Sequence, residues 1–72
     1  TGIAKPDNPD GRVVILYNTT SQNMTITNDA TSTAANRILT NTGSDVATTG
    51  TGIVSLIYSV TDARWILLTK LV

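Results

Sequence analysis

The stretch IVSLIYSVTDARWILLTKL (residues 53–71) decides the fold. Residues 53–60 and 64–71 are rich in the β-branched, aromatic and other large apolar residues that suit strands. No apolar period of 3.6 residues, which would indicate a helix, extends along them. Thr61-Asp62-Ala63 separates them as a tight turn. The stretch therefore predicts two long antiparallel strands joined as a hairpin.

Towards the N-terminus, RVVILYN (12–18) predicts a further strand with five consecutive apolar residues. NMTITN (23–28) alternates strictly, so Met24 and Ile26 are expected on one face and the threonines on the other. Because only a short turn separates the two segments, we expect them to pair as a second hairpin.

Shorter strands are predicted at residues 36–40 and 45–48, with turn residues between them. Residues 29–35 are expected to form a loop, with a single helical turn as the alternative. The fold class is then all-β, a small antiparallel sandwich or barrel-like module of five or six short strands. Residues 1–11 carry both prolines and predict an extended arm or linker, and residues 12–72 predict one β module.

Several strands are apolar on both faces, which is unusual for so small a protein. A monomeric sheet has one buried face and should alternate, whereas residues 13–17, 53–58 and 65–68 do not. Either two sheets pack tightly enough to bury both faces, or a subunit interface covers the second one. We favour the interface, because 72 residues seldom hide this much apolar surface alone.

The interface hypothesis predicts that one set of side chains is not fully buried within the protomer. If Val14, Leu16, Val54 and Leu67 were all buried inside a single protomer, the case for association would fail.

The residue types that are absent limit which metal sites, crosslinks and catalytic groups the chain can form. The sequence has no Cys, His or Glu, so disulfides, zinc sites and the commonest catalytic bases are excluded. Asp7-Asn8-Pro9-Asp10-Gly11 weakly resembles a calcium loop, but it lacks EF-hand spacing and indicates a turn. We predict no enzymatic activity and no cofactor.

The charge pattern gives no indication of binding to nucleic acid or to a membrane. Five basic and five acidic residues are scattered singly, which predicts neither a nucleic-acid-binding patch nor a membrane segment. The chain starts at Thr1 rather than Met, so we expect it to be a piece of a longer protein.

The order RVVILYN (12–18), NMTITN (23–28), NRILTNTGSDV (36–46) and VSLIYSVTDARW (54–65) resembles a short module recurrent in bacteriophage tail-fibre and tailspike proteins. The resemblance covers residues 12–65 and rests on a strand ending in Asn, an Ile/Thr strand, an Asn-Arg-Ile step, a Gly-x-Asp turn and a closing Tyr…Arg-Trp hairpin. It implies a homotrimeric assembly module of an extracellular virion appendage involved in host attachment. Its partners would be other segments of the same fibre protein. The alternative is a tip module that binds a carbohydrate or another receptor, such as a host surface glycan.

Five residues are candidates for ligand or interface contacts: Tyr17, Arg37, Tyr58, Arg64 and Trp65. In the carbohydrate-binding alternative, Trp65 stacks on a sugar ring with help from Tyr17 or Tyr58. In the interpretation we favour, Trp65 anchors the core or the trimer seam. Arg37 is expected to fix a turn and to pair with Asp45 or Asp62, with anion or partner binding as its alternative.

Overall fold

The computed structural model describes residues 2–30 and 32–72. Thr1 of the predicted arm and Thr31 of the predicted loop therefore lie outside the described residues. Six strands form in chain order: β1 (Val13–Asn18), β2 (Thr25–Ile26), β3 (Ile38–Leu39), β4 (Val46–Ala47), β5 (Gly52–Ser59) and β6 (Arg64–Leu71). One 3₁₀ turn, Ala34–Asn36, precedes β3.

The long hairpin predicted from residues 53–71 is confirmed. Strands β5 and β6 pair antiparallel, with Tyr58 opposite Trp65 and Ile57 opposite Ile66. Ala63 has a φ of 53° and Ala63 N–H donates to the Val60 carbonyl, which closes the turn. A bulge near Ser55 adds one residue to β6, so register shifts along the second half of the hairpin.

Strand β1 continues the sheet on the other side of β5. It runs antiparallel to β5 over six residues, with Ile15 opposite Ser55. At its start, Gly11 N–H donates to the Tyr58 carbonyl, and Tyr58 N–H donates to the Arg12 carbonyl. Two residues thus oppose one, and Gly11 has a φ of 77°. This is a bulge whose first position requires the left-handed conformation that glycine adopts without strain.

The sheet is mixed, not purely antiparallel as expected. Strand β3 pairs in parallel with β6, giving the order β1-β5-β6-β3. A parallel pair needs a long crossover between its strands, and residues 40–63, with β4 and β5, supply it. An expectation based on neighbouring hairpins could not find a pairing between segments so distant in sequence.

The predicted hairpin between residues 12–18 and 23–28 is wrong. Strand β2 instead pairs antiparallel with β4 in a separate two-stranded sheet. β5 offers β1 a six-residue register with apolar side chains on both faces, and the two-residue β2 cannot match it. The predicted directions within β2 are nonetheless confirmed, because Ile26 is buried, Met24 packs against the core and Thr25 is exposed.

The core lies between the inner face of the four-stranded sheet and the small sheet. Its buried apolar residues are Ile26, Ile38, Val54, Leu56, Tyr58 and Trp65, with Ile3, Val14, Leu16, Met24 and Leu67 packed around them. Every second residue of β5 is buried, which is the period expected for a strand with one covered face.

The predicted N-terminal arm packs on the module. Gly2 forms a bridge with Arg37, and Ile3 N–H donates to the Asn36 carbonyl at 2.9 Å. The indole N–H of Trp65 donates to the Ile3 carbonyl, also at 2.9 Å. The arm therefore closes the end of the core next to Trp65.

Candidate assembly surface

The side of the four-stranded sheet that faces away from the core is almost uncharged. The strand registers place these residues on it, and we call them the outer face: Val13, Ile15, Tyr17, Ile53, Ser55, Ile57, Ile66, Thr69 and Leu71. They come from three adjacent strands and form one continuous surface. Arg64, opposite Ser59, is the charged residue at its end.

Large apolar side chains on the outer face are open to solvent. Ile15 is 66% exposed, Tyr17 63%, Leu71 57% and Val13 50%. Isolated apolar side chains are common on protein surfaces, but these four are linked through the half-buried isoleucines between them. The patch is on the order of several hundred Å², a size that marks interaction sites.

The four side chains whose burial within one protomer would argue against association are not all fully buried. Val54 is fully buried in the protomer, whereas Val14, Leu16 and Leu67 are half-buried and pack against the core. This inner face is therefore covered mainly by the chain itself. The surface that lacks cover is the outer face, and the case for association depends on it alone.

Trp65 and Tyr58 lie in the core of the protomer. They are 1% and 2% exposed, and their rings meet edge to face with centroids 5.1 Å apart. The Tyr58 hydroxyl donates to the Ala35 carbonyl at 2.7 Å. Neither ring is accessible to a sugar, so the stacking role considered for them does not fit this arrangement. Tyr17 is the candidate aromatic residue that faces solvent.

The two candidate arginines converge on one aspartate. Arg64 Nε donates to Asp29 Oδ1 at 2.7 Å, and Arg37 Nη1 lies 3.9 Å from the same oxygen. Arg37 Nε also donates to the Ser32 carbonyl at 2.8 Å. The expected pairing of Arg37 with Asp45 or Asp62 is thus wrong.

Local contacts explain why those two aspartates do not pair with Arg37. The Asp45 carboxylate accepts the Asn28 N–H, and the Asp62 carboxylate accepts the Ser59 hydroxyl. The arginine cluster joins the loop before the 3₁₀ turn to the start of β6, which is a structural role.

We expect Asp29→Asn to lower the free energy of unfolding by no more than about 1 kcal/mol, because solvent reaches the ion pairs and screens them. Asn suits the φ of 42° at this position, so backbone strain is not added. Urea unfolding at low salt and at about 0.5 M NaCl should show the loss shrinking as salt is added. Asp45→Asn is the control without an arginine partner. A large loss that does not depend on salt would contradict this account.

Two clefts among the described residues are small and open. The larger has a volume of about 250 Å³ and is lined by Lys5, Pro9, Ala35, Tyr58, Val60 and Ala63. Ligand sites usually occupy about 300–1,000 Å³ and contain converging polar groups. Residues 2–30 and 32–72 contain no cluster of three or more acidic, His or Cys side chains that could bind a metal.

The Asp7–Gly11 segment forms a turn. Arg12 N–H donates to the Pro9 carbonyl, and Arg12 Nη2 donates to the Asp7 carbonyl. The Asp10 carboxylate accepts the Val60 N–H. Three oxygens of this segment therefore accept hydrogen bonds from the protein itself.

Comparisons with models of known protein families, with curated proteins and with solved structures find no match. Among the described residues, no helix has the length and apolar character required to cross a bilayer. The outer face is therefore the feature of the molecule that most directly suggests a function.

Sequence reasoning found the residues of this face but did not distinguish it from the inner face. In residues 13–17 the two sets of alternating side chains are both apolar. Side-chain size could have distinguished the two faces. The alternating set that contains Ile15 and Tyr17 has more apolar area to cover than the other set.

Proposed function

We propose that the chain is a structural assembly module of a bacteriophage tail fibre or tailspike. In this proposal three copies pack their outer faces around a common axis, and the role is not catalytic. The observation that carries the proposal is the exposure of Val13, Ile15, Tyr17 and Leu71 on one continuous face. The resemblance of residues 12–65 to tail-fibre modules supplies the biological setting, an extracellular virion appendage that takes part in host attachment.

The physical case for self-association rests on area and on charge. A stable interface buries about 800 Å² of solvent-accessible surface on each partner. The outer face, with an area of several hundred Å², supplies most of that. Within the face no charged side chain needs to lose its water, so copies can meet without desolvating an ion. Apolar area contributes roughly 25 cal/mol/Å² when it is removed from water.

Ile57→Lys should abolish the threefold association. Ile57 lies between Val13 and Ile66 in the middle of the outer face, so a lysine there would bring three ammonium groups towards one axis. The side chain is only half-buried in the protomer, and the long lysine stem can keep its charge in water without unfolding the sheet. Sedimentation equilibrium should give a multiple of three chains for the wild type and not for this variant.

Thr61→Lys is the matched control, because it adds the same charge in the exposed turn between β5 and β6. Far-UV circular dichroism should be unchanged in both variants. A wild-type chain that is folded and monomeric at micromolar concentration would disprove the proposal. So would an Ile57→Lys chain that keeps the wild-type mass.

A further inference from the structure

The two edges of the four-stranded sheet are not equivalent. Opposite β1, the edge strand is the two-residue β3, which covers only part of β6, and we call this side of β6 the β6 edge. Trp65 N–H donates to the Arg37 carbonyl there, next to the pairing with β3. Further along, Thr49 N–H donates to the Val72 carbonyl, and Lys70 Nζ donates to the Ala47 carbonyl. Much of this edge is therefore occupied by the protein itself.

The β1 edge is open along its length. Tyr58 exchanges backbone hydrogen bonds with residues 11–12, so alternation directs the amides of Val14 and Leu16 towards β5. The N–H and C=O groups of Val13, Ile15 and Tyr17 then point away from the sheet. No other described strand pairs with that side of β1.

Edges of this kind are usually protected, and this one is not. Natural proteins place lysines, prolines or bulges on open edges to prevent pairing with another chain. Strand β1, VVILYN, has none of these within its six residues. Its only irregularity is the bulge at Gly11, which comes before the strand begins.

We propose that the β1 edge pairs antiparallel with the β1 edge of a second copy around a two-fold axis at Ile15. This contact goes beyond the proposed trimer, because it uses the backbone of β1, whereas the trimer uses the outer-face side chains. Centring the axis on Ile15 sets Val13 opposite Tyr17 of the other copy. All three free positions become hydrogen-bonded pairs, which gives six hydrogen bonds by alternation.

The register is self-complementary in its side chains as well. Ile15 meets its own equivalent, and Val13 meets Tyr17, which are β-branched and aromatic cross-strand pairs of the favourable kind. The strand has no charge, so no like charges face each other. A two-fold axis repeats the same patch on both copies, and β1 satisfies that requirement without any contribution from the occupied β6 edge.

Single cysteines test the register in a chain that has no cysteine of its own. Across this pair the Cα atoms of two Ile15 residues would lie about 5.5 Å apart, within disulfide range. Those of two Tyr17 residues would be four positions out of register, about 14 Å apart across the pair, and too distant. Under mild oxidation we expect Ile15→Cys to form a covalent dimer and Tyr17→Cys to remain uncrosslinked.

A backbone variant separates this contact from the outer-face contact. Ile15→Pro removes the outward N–H without removing a hydrogen bond to β5, whereas Ile15→Ala keeps the N–H and also loses the isoleucine side chain. Both variants lose the Ile15 side chain from the outer face, so they are compared in the Ile57→Lys chain, where the threefold contact is absent. There we expect Ile15→Ala to remain a dimer and Ile15→Pro to be monomeric. Ile57→Lys should still crosslink through a cysteine at position 15, because the edge is intact in that variant.

Each outcome decides between the two contacts. Crosslinking of Ile15→Cys, combined with a wild-type chain that shows no threefold mass, would support the edge pair and reject the trimer. Equal crosslinking of Ile15→Cys and Tyr17→Cys, or none in Ile15→Cys, would overturn the edge pair and leave the trimer standing if the threefold mass persists. Ile15→Pro that remains a dimer in the Ile57→Lys chain would also overturn the edge pair.

Discussion

Trp65→Ala should remove about 3–5 kcal/mol from the free energy of unfolding, the cost of emptying a large aromatic site in a packed core. Trp65 is 1% exposed, packs edge to face on Tyr58 and lies beside Ile38 across the parallel pair. A domain of this length is expected to have roughly 4–11 kcal/mol in total, at about 0.05–0.15 kcal/mol per residue. The variant should therefore unfold at a much lower denaturant concentration, which far-UV circular dichroism in urea will show.

Trp65→Phe separates the packing of the ring from its hydrogen bond. Phenylalanine keeps an aromatic ring against Tyr58 but has no N–H for the Ile3 carbonyl, which the indole meets at 2.9 Å. Ile3 is half-buried, so water can replace part of the lost bond, and we expect a cost of about 1–2 kcal/mol. An alanine variant within about 1 kcal/mol of the wild type would show that Trp65 does not anchor the core.

The strands that the sequence predicted well are those with a strong local signal. Residues 64–71 were predicted as a strand and form one with the same bounds, and residues 53–60 correspond to Gly52–Ser59. Both are long, apolar and joined by a turn, so local propensity and pairing agree. The predicted short strands at residues 36–40 and 45–48 shrink to two residues each, because their length depends on partners elsewhere in the chain.

The strand pairings were harder to predict because they depend on side chains distant in sequence. Asn18 ends β1, and its side-chain amide donates to the carbonyls of Gln22 and Gly50. These bonds turn the chain away from β1 instead of back along it. Asparagine in such a position indicates a turn, but the sequence gives no sign that one of its acceptors lies 32 residues away.

The sequence predicted how much apolar surface needs cover, but not which face of the sheet is left exposed. Counting apolar residues in 13–17 and 53–58 shows that both faces of the sheet need cover. Which face the chain covers itself is decided by the small β2–β4 sheet and the N-terminal arm, through Ile26 and Ile3. These elements are short and irregular, so periodicity could not assign them to a side.

Thr48→Val should lower the free energy of unfolding by about 2 kcal/mol, although the side chains have nearly the same shape. Thr48 is 1% exposed, and its hydroxyl joins the small sheet to the loop before β5. The oxygen accepts the Met24 N–H at 2.9 Å and donates to the Gly50 carbonyl at 2.8 Å. Valine would leave the Met24 N–H without a partner, and an unsatisfied buried donor costs about 1–3 kcal/mol.

The partners of Thr48 explain why this cost is not larger and how it can be recognised. The Gly50 carbonyl keeps the Asn18 amide at 2.9 Å, so the Met24 N–H is the group that loses most. Thr51→Val is the control, because it removes an exposed hydroxyl that bonds the Thr20 carbonyl at 2.9 Å and should change stability by no more than about 0.5 kcal/mol. Hydrogen exchange at the Met24 amide should accelerate in Thr48→Val and not in Thr51→Val. Equal unfolding midpoints for the two variants would mean that the Thr48 hydroxyl does not hold the small sheet in place.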